Sequence, residues 1–366
     1  MSKNEVTFIL VQSLKGGAGK STIALSIAIT LDVMKKVKEI ETKRDDSKSN
    51  QSIKFNEDEE GVATVLNSSA PKPYEYKNDR NNICYIDIDI LGTAMEDVIY
   101  KAEDNPYNRK LNEIISFDPS IDKTDNYKNK FEASVELNIN GKTQIVGVNF
   151  DILLSSKESR LKKKFIIDNE YAAEIESKVF NHYFAIFMDK LLKSNYDYVV
   201  IDMSPGFDSI VKGVFDYCCR YKNKKKMINL IITTKDVAHV EANINFLKDF
   251  MLNDFTMYDE KFGSTYLVVN DIFNNKDNTT KDIEEYAKES FKDIKNFNKV
   301  YKGCVEKGQE LKIVHMNLFR SKHESLDRLY KNNDLGCFFD SEFVKKVGLA
   351  QDENERMKMN EKKKKS

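Results

Sequence analysis

One segment between an apolar strand pattern and an apolar helix pattern has the residue types and spacing to hold a phosphate group. It reads Lys15-Gly16-Gly17-Ala18-Gly19-Lys20-Ser21-Thr22. Glycines at a strand-to-helix turn let backbone N–H groups surround phosphate oxygens, which a Cβ atom would obstruct. The N-terminus of the following helix favours the same anion, Lys20 can reach the terminal phosphates of a nucleotide, and Ser21 can ligate Mg²⁺. The segment therefore predicts a nucleotide phosphate site with Mg²⁺ as its metal.

The spacing of this segment departs from the common pattern G-x-x-x-x-G-K-[ST], because Leu14 stands where that pattern needs its first glycine. It reads K-G-G-x-G-K-[ST] instead, which resembles the deviant Walker A motif of the ParA and MinD group of P-loop ATPases (SIMIBI class). In that group the additional lysine, here Lys15, crosses a nucleotide-sandwich dimer and contacts the phosphates of the other subunit. The resemblance implies a homodimeric ATPase.

Two carboxylates end a second buried-strand pattern, residues 84–90. Alternate residues of a strand lie on one side, so Asp87 and Asp89 share a side near the carboxyl end, where a doubly wound sheet places its ligand. The run resembles the switch I segment of the same group. That resemblance implies that Asp89 orients the attacking water, with Asp87 as its partner near the metal.

A third acidic position follows the apolar run 198–201. This run, Asp202 and the turn Ser204-Pro205-Gly206 resemble a Walker B strand and the switch II turn of the group. The resemblance implies that Asp202 holds a water bound to Mg²⁺ and that the turn moves when the γ-phosphate leaves. The predicted metal residues are Ser21, Asp87 and Asp202.

The strand pattern 266–270 resembles a strand of the same group that ends in an asparagine reading the base, which implies that Asn270 is the adenine contact. An asparagine side chain can accept a hydrogen bond from the adenine amino group and donate one to N7. The pattern [NT]-K-x-D, typical of GTP sites, is broken at 234–237 and 275–278, where the aspartate is misplaced. The sequence therefore favours ATP over GTP.

The catalytic residues implied by these motifs are Lys15, Lys20 and Asp89. Phosphoryl transfer to water needs positioning and charge neutralisation more than covalent chemistry. We expect hydrolysis to be slow in the monomer and to be limited by dimerisation or by a regulatory protein partner.

Apolar runs alternate with helical patterns along the chain, which predicts an α/β fold: a doubly wound, mostly parallel sheet with helices on both faces. The predicted strands are Thr7–Val11, Ile83–Ile88, Asp151–Ser155, Tyr198–Asp202, Ile228–Thr233, Tyr266–Asn270 and Ile313–His315. The predicted helices are Ser21–Val37, Ala172–Leu192, Phe207–Tyr221, Val237–Leu252 and Thr280–Phe291.

Residues 1–350 are predicted to form a single ATPase domain with two insertions, at about 38–82 and 101–147. The first is polar and is expected to be partly disordered. The second contains a hairpin signal, because Asn140-Gly141 separates two alternating runs. Residues 351–366 are charged and are expected to form a flexible tail.

The 366 residues carry a formal net charge of -1, which argues against a surface that binds nucleic acid everywhere but leaves room for local basic patches. Three such patches, 160–164, 220–226 and 362–365, are candidates for nonspecific DNA binding. The five cysteines have no metal or disulfide spacing, and the adjacent Cys218 and Cys219 are expected to be packing residues. With no long apolar span, the expected location is the cytoplasm.

Several roles fit such an ATPase. A DNA-partition or cargo-positioning role of the ParA kind is the leading hypothesis. A membrane-cycling role of the MinD kind is disfavoured because the apolar residues of 342–366 do not align on one helical face. A metal-cluster carrier is disfavoured because no C-x-x-C pair is present. A ligase of the dethiobiotin or cobyrinate type, or a regulatory or defence-associated ATPase acting on a protein partner, stays open.

Overall fold

Eight strands form one sheet in the order β3-β4-β2-β5-β1-β6-β7-β8. The computed structural model describes residues 5–48, 82–89, 129–139, 142–154, 170–206, 209–234, 236–253, 264–270, 311–316, 341–347 and 349. The strands are β1 (Val6–Gln12), β2 (Ile83–Asp87), β3 (Asn129–Ile139), β4 (Lys142–Leu153), β5 (Tyr198–Asp202), β6 (Lys224–Thr233), β7 (Ser264–Asn270) and β8 (Leu311–Met316). The helices are α1 (Lys20–Lys48), α2 (Glu170–Leu191), α3 (Ser209–Arg220), α4 (Val237–Asn253) and α5 (Ser341–Lys346), with a 3₁₀ turn at Leu192–Ser194.

Every described strand pair is parallel except β3 with β4, which is antiparallel. Helices cover both faces of the sheet, as β1 illustrates. Phe8 and Leu10 pack on one side with α2, α3 and α4, whereas Ile9 and Val11 pack on the other side with α1 and α5. A strand that is buried on both faces needs a continuous apolar run, which is what the sequence shows. The predicted fold class is confirmed.

The hairpin predicted around Asn140-Gly141 is confirmed, because Ile139 pairs with Lys142. It belongs to the main sheet: β4 runs through to Leu153 and its end pairs with β2. The strand predicted at Asp151–Ser155 is therefore the end of a longer strand. Division of the chain into a domain with insertions stays a prediction.

Helix α1 continues to Lys48 and so reaches beyond Val37, where the sequence predicted its end. Two residues in its middle fasten it to β4. The ammonium of Lys36 lies 2.5 Å from Asp32 Oδ2 and donates to the carbonyl of Gly147, and Asn149 N donates to the same carboxylate. The helix predicted at Thr280–Phe291 lies outside the described residues. Among the described helices none is long and apolar enough to cross a membrane.

Candidate functional site

Strand order brings the predicted acidic residues together at one edge of the sheet. β5 lies between β2 and β1, with Asp202 opposite both Asp87 and Val11. Parallel strands end at the same edge, so the segment after β1 begins beside these carboxylates. The predicted phosphate loop and the switch segments therefore share one site.

The loop at residues 13–19 turns from β1 into α1, which begins at Lys20. Gly17 and Gly19 have φ angles of 84° and 83°, which residues with a Cβ rarely adopt. A Cβ on Gly19 would also lie 2.5 Å from Asn270 Nδ2, whereas one on Gly16 or Gly17 would meet nothing within 4 Å. The loop is therefore open on its outer side, where a phosphate would lie, and closed against β7.

Lys20 is the cationic centre of a buried cluster. Its ammonium lies 2.5 Å from Asp202 Oδ1 and 3.7 Å from Asp89 Oδ2, and donates to Ser21 Oγ at 3.3 Å. Burial by itself would lower the pKa of Lys20, but the neighbouring carboxylates outweigh it and raise that pKa. Lys20 is therefore charged and neutralises the carboxylates of Asp202 and Asp89 beside it.

Asp87 is completely buried, and its Oδ1 accepts a hydrogen bond from Asp89 N at 2.8 Å. Burial, followed by the charge of Asp202, raises the pKa of Asp87 to about 8. Tyr85, which the motif analysis missed, donates its hydroxyl to Asp202 Oδ2 at 3.2 Å. Burial raises the pKa of Tyr85, which keeps this hydroxyl a donor.

The pH dependence of stability should reveal the buried Asp87. Its pKa in the folded chain is about 8, far above its unfolded value, so the folded state binds the extra proton between these values. The free energy of unfolding of the nucleotide-free, metal-free protein should therefore fall as pH rises from 5 to 8, by at most about 1.4 kcal/mol per pH unit. Urea unfolding at several pH values measures it.

The variant Asp87→Asn should flatten that pH profile, because its amide still accepts the hydrogen bond from Asp89 N but cannot ionise. Asp197→Asn, which removes a carboxylate with 45% side-chain exposure, should keep the wild-type slope. Equal slopes in wild type and Asp87→Asn would contradict the assignment.

The predicted switch II turn contacts both other motifs. Ser204 Oγ donates to the carbonyl of Ile88 at 2.9 Å, and Gly206 N donates to the carbonyl of Ser13 at the same distance. Ile88 N in turn donates to the Asp202 carbonyl. Movement of the turn would therefore reach the phosphate loop and the segment bearing Asp89. No sequence signal pointed to Ser204 as this link.

Asn270, at the end of β7, is buried against the loop. Its Nδ2 donates to the Ala18 carbonyl at 2.9 Å. Its Oδ1 is buried and has no hydrogen-bond partner among the described residues. The side chain thus holds the loop with its donor and keeps an acceptor for another group.

The structure gathers all the predicted site residues except one side chain. The cluster consists of Lys20, Ser21, Asp87, Asp89 and Asp202, all buried except the half-buried Ser21. Gly16–Gly19 belong to the loop before it, and Thr22 lies in the first turn of α1. The side chain of Lys15 is exposed and lies outside this cluster of its own chain.

Within the described part of the chain, no three His, Cys, Asp or Glu side chains converge to hold a metal ion by themselves. Magnesium at nucleotide sites takes one or two protein oxygens and completes its shell with water and phosphate oxygens. The Ser21 hydroxyl and the Asp202 carboxylate fit that kind of site, in which the metal arrives with the nucleotide.

Cys218 and Cys219 belong to α3 and are buried in the core, as the sequence predicted. Burial raises the pKa of Cys219 to about 12, so its thiol stays protonated at neutral pH. The two residues therefore serve packing.

Comparison with solved structures gives matches of low sequence identity over most of this chain. No family model matches the chain, and no curated relative matches it either. An ATP complex of McdA from Cyanothece is 12% identical, with 95% of this chain and 98% of that chain covered and a TM-score of 0.49. The pNOB8 ParA structure is 15% identical, with 97% and 93% covered and a TM-score of 0.41.

A plasmid partition protein from Borrelia burgdorferi B31, bound to AMPPNP, is 19% identical, with 84% of this chain and 98% of that chain covered and a TM-score of 0.41. The matched structures thus include proteins named ParA and MinD, the group whose motifs the sequence of this chain resembles.

Proposed function

We propose that this chain is an ATPase that binds ATP with Mg²⁺ and hydrolyses it slowly as a nucleotide-sandwich homodimer. The observation that carries this proposal is the contact of Lys20 with Asp202 and Asp89, directly behind a loop that is open on its outer side. A nucleotide phosphate binds together with Mg²⁺. A site with a buried ammonium, carboxylates and a glycine loop suits such a ligand, because the ammonium and the loop can hold the phosphate while a carboxylate serves the metal.

Phosphate binding exchanges the partners of Lys20. The Lys20 ammonium is held by Asp202 Oδ1. A bound phosphate would attract this ammonium and the N–H groups of residues 16–22, and the Asp202 carboxylate would then be available to hold a water bound to Mg²⁺. When bound with Ser21 as a ligand, Mg²⁺ supplies charge neutralisation of the phosphate oxygens.

Hydrolysis follows by attack of a water oxygen on the γ-phosphorus. The bond to the bridging oxygen breaks, ADP leaves with the electron pair, and the proton of the water passes to phosphate or solvent. Asp89 orients this water, and Asp87 holds the Asp89 backbone in place through the hydrogen bond from Asp89 N at 2.8 Å.

Lys15 acts on the other subunit. Its side chain is exposed, so it can reach the phosphates of a partner across a sandwich. A cation that arrives in trans completes the charge stabilisation, as an arginine finger does. Turnover then depends on dimerisation.

Asn270 reads the base. Because Nδ2 is engaged by the loop, the remaining Oδ1 is an acceptor, and it suits the exocyclic amino group of adenine rather than the carbonyl of guanine. This contact supports the preference for ATP.

The biological role we propose is DNA partition or cargo positioning, with nonspecific DNA binding in the ATP state. Of the three basic patches, only 220–226 is described. Arg220 lies 4.0 Å from Asp216, and Lys224 donates to the Cys219 carbonyl, whereas Lys222 and Lys225 are exposed. These residues lie just before β6 or at its start, and β6 is parallel to β1, so they lie at the sheet edge opposite the loop that follows β1.

The test of this role is duplex-DNA binding by the variant Asp89→Ala, which should trap the ATP dimer. We expect salt-sensitive binding with ATP and none with ADP, because phosphate neutralisation releases counterions. Adding Lys225→Ala should reduce the slope of log affinity against log salt by about 1, the value for one lost phosphate contact.

The matched control is Lys345→Ala, an exposed lysine on α5, which should leave the salt slope unchanged. Equal binding in ATP and ADP, or none in either state, would refute the DNA role and shift the search to a protein partner. Failure of the wild-type protein to bind ATP at all would instead refute the ATPase.

A further inference from the structure

The first residues of the phosphate loop are held from outside the loop. The Ser13 carbonyl accepts from Gly206 N at 2.9 Å, and Leu14 N donates to Asn243 Oδ1 at 3.3 Å. The Ser13 hydroxyl donates to the carbonyl of Lys15 at 2.8 Å. The backbone leading into Lys15 is therefore tied to the switch II turn and to helix α4.

Asn243 is a buried polar residue inside α4, with no exposed surface. Its Nδ2 donates to the carbonyls of His239 at 2.8 Å and Ile232 at 3.5 Å, and its Oδ1 serves Leu14. Burying an amide side chain costs free energy unless its groups are paired, and asparagine is a poor helix former. An apolar residue at this position could not accept the hydrogen bond from Leu14 N, which is the contact that Asn243 makes with the loop.

The neighbours of Asn243 on α4 show that the position itself favours apolar packing. Val240 and Ile244 belong to the hydrophobic cluster on this face of the sheet. An asparagine among these apolar residues lowers the stability of the folded chain. The hydrogen bond to the loop offsets this cost, because it pairs the backbone N–H of Leu14, which lies outside the strands.

We infer that Asn243 is a positioning residue, which holds the backbone before Lys15 so that the lysine side chain is directed at the phosphates of the partner subunit. This inference rests on the proposed trans role of Lys15. A long side chain on an unheld backbone would spend most of its time away from that target, and small misplacements cost large factors in rate. Through Asn243, a displacement of α4 would also change turnover without contact with the nucleotide.

The experiment is a double-mutant comparison of ATP turnover and nucleotide affinity in the full chain. Asn243→Ala should keep nucleotide affinity within about twofold but lower turnover by about 10- to 100-fold. The double variant Lys15→Ala/Asn243→Ala should be no slower than Lys15→Ala alone, because both changes remove the same contribution.

A readout independent of activity is hydrogen exchange of the Leu14 amide in the nucleotide-free protein. Exchange should be faster in Asn243→Ala than in wild type. The control Tyr196→Phe loses a buried hydrogen bond to Asp151 of 2.5 Å, away from the loop, and should change neither this exchange nor turnover.

The outcomes separate the two proposals. If Lys15→Ala leaves turnover normal, the proposed trans role fails. If Lys15→Ala is slow but Asn243→Ala is not, or if the two losses multiply in the double variant, the inference about Asn243 is overturned. Unchanged exchange at Leu14 in Asn243→Ala would overturn it as well.

Discussion

Replacing Lys20 with alanine should lower the free energy of unfolding of the nucleotide-free protein by about 3–5 kcal/mol, the cost of breaking a buried ion pair by removing one partner. The Lys20 ammonium lies 2.5 Å from Asp202 Oδ1 and 3.7 Å from Asp89 Oδ2, and the Asp202 side chain has no exposed surface. Without it, these buried carboxylates repel one another. Urea unfolding followed by circular dichroism measures the loss, and ATP hydrolysis should disappear.

A second substitution distinguishes charge imbalance from lost packing. Adding Asp202→Asn to Lys20→Ala removes one of the uncompensated charges and should recover part of the lost stability, while hydrolysis stays absent. The control Lys35→Ala, on the same helix as Lys20, removes a half-exposed ion pair of 3.9 Å with Asp197, which precedes β5, and should cost less than about 1 kcal/mol. A Lys20→Ala loss as small as that of Lys35→Ala would mean that the cluster does not depend on the lysine.

Lys15→Ala should reduce ATP turnover by about 100-fold or more while ATP binding stays near the wild-type level. A cation supplied in trans to phosphoryl transfer contributes about 10³- to 10⁵-fold in related chemistry, and an exposed lysine outside the cluster adds little to ground-state binding. Steady-state turnover and titration with a fluorescent ATP analogue measure the two effects separately.

Mixing two inactive variants tests whether the lysine acts across the dimer. A mixed dimer of Lys15→Ala and Asp89→Ala subunits contains one complete site, made from Asp89 of the first subunit and Lys15 of the second. An equal mixture should recover about a quarter of the wild-type turnover, since half of random dimers are mixed and each has one site. No recovery would mean that Lys15 acts within its own subunit, and normal turnover of Lys15→Ala alone would mean that it has no role.

The sequence predicted those parts of the candidate site whose residues lie close together along the chain. The glycines, Lys20 and Ser21 are contiguous, and the turn between β1 and α1 imposes their types because φ is positive at Gly17 and Gly19. Asp87 and Asp202 were predictable for a related reason: each ends a continuous apolar run, and the carboxyl ends of parallel strands meet at one edge.

The remaining contacts join residues that are far apart along the chain. The sequence around Asn243 does not indicate that its side chain accepts a hydrogen bond from Leu14 N. The sequence around Tyr85 likewise does not indicate that its hydroxyl donates one to Asp202. Such partners are set by which strands are neighbours and by their register, and one residue of slip in a strand moves each side chain to the other face. Asn270 was predictable as a strand-end amide, but its bond to the Ala18 carbonyl was not.

The sequence by itself therefore determined the α/β class, the hairpin of β3 and β4 and the glycine-rich loop between β1 and α1, because strand runs, helical periodicity and glycine-rich turns depend on nearby residues. Only the tertiary structure decided that β4 continues from the hairpin into the main sheet and that Lys20 pairs with Asp202. It also decided that α4 holds the start of the loop. These features depend on the order and register of strands, which are set by packing of the whole sheet between its helices.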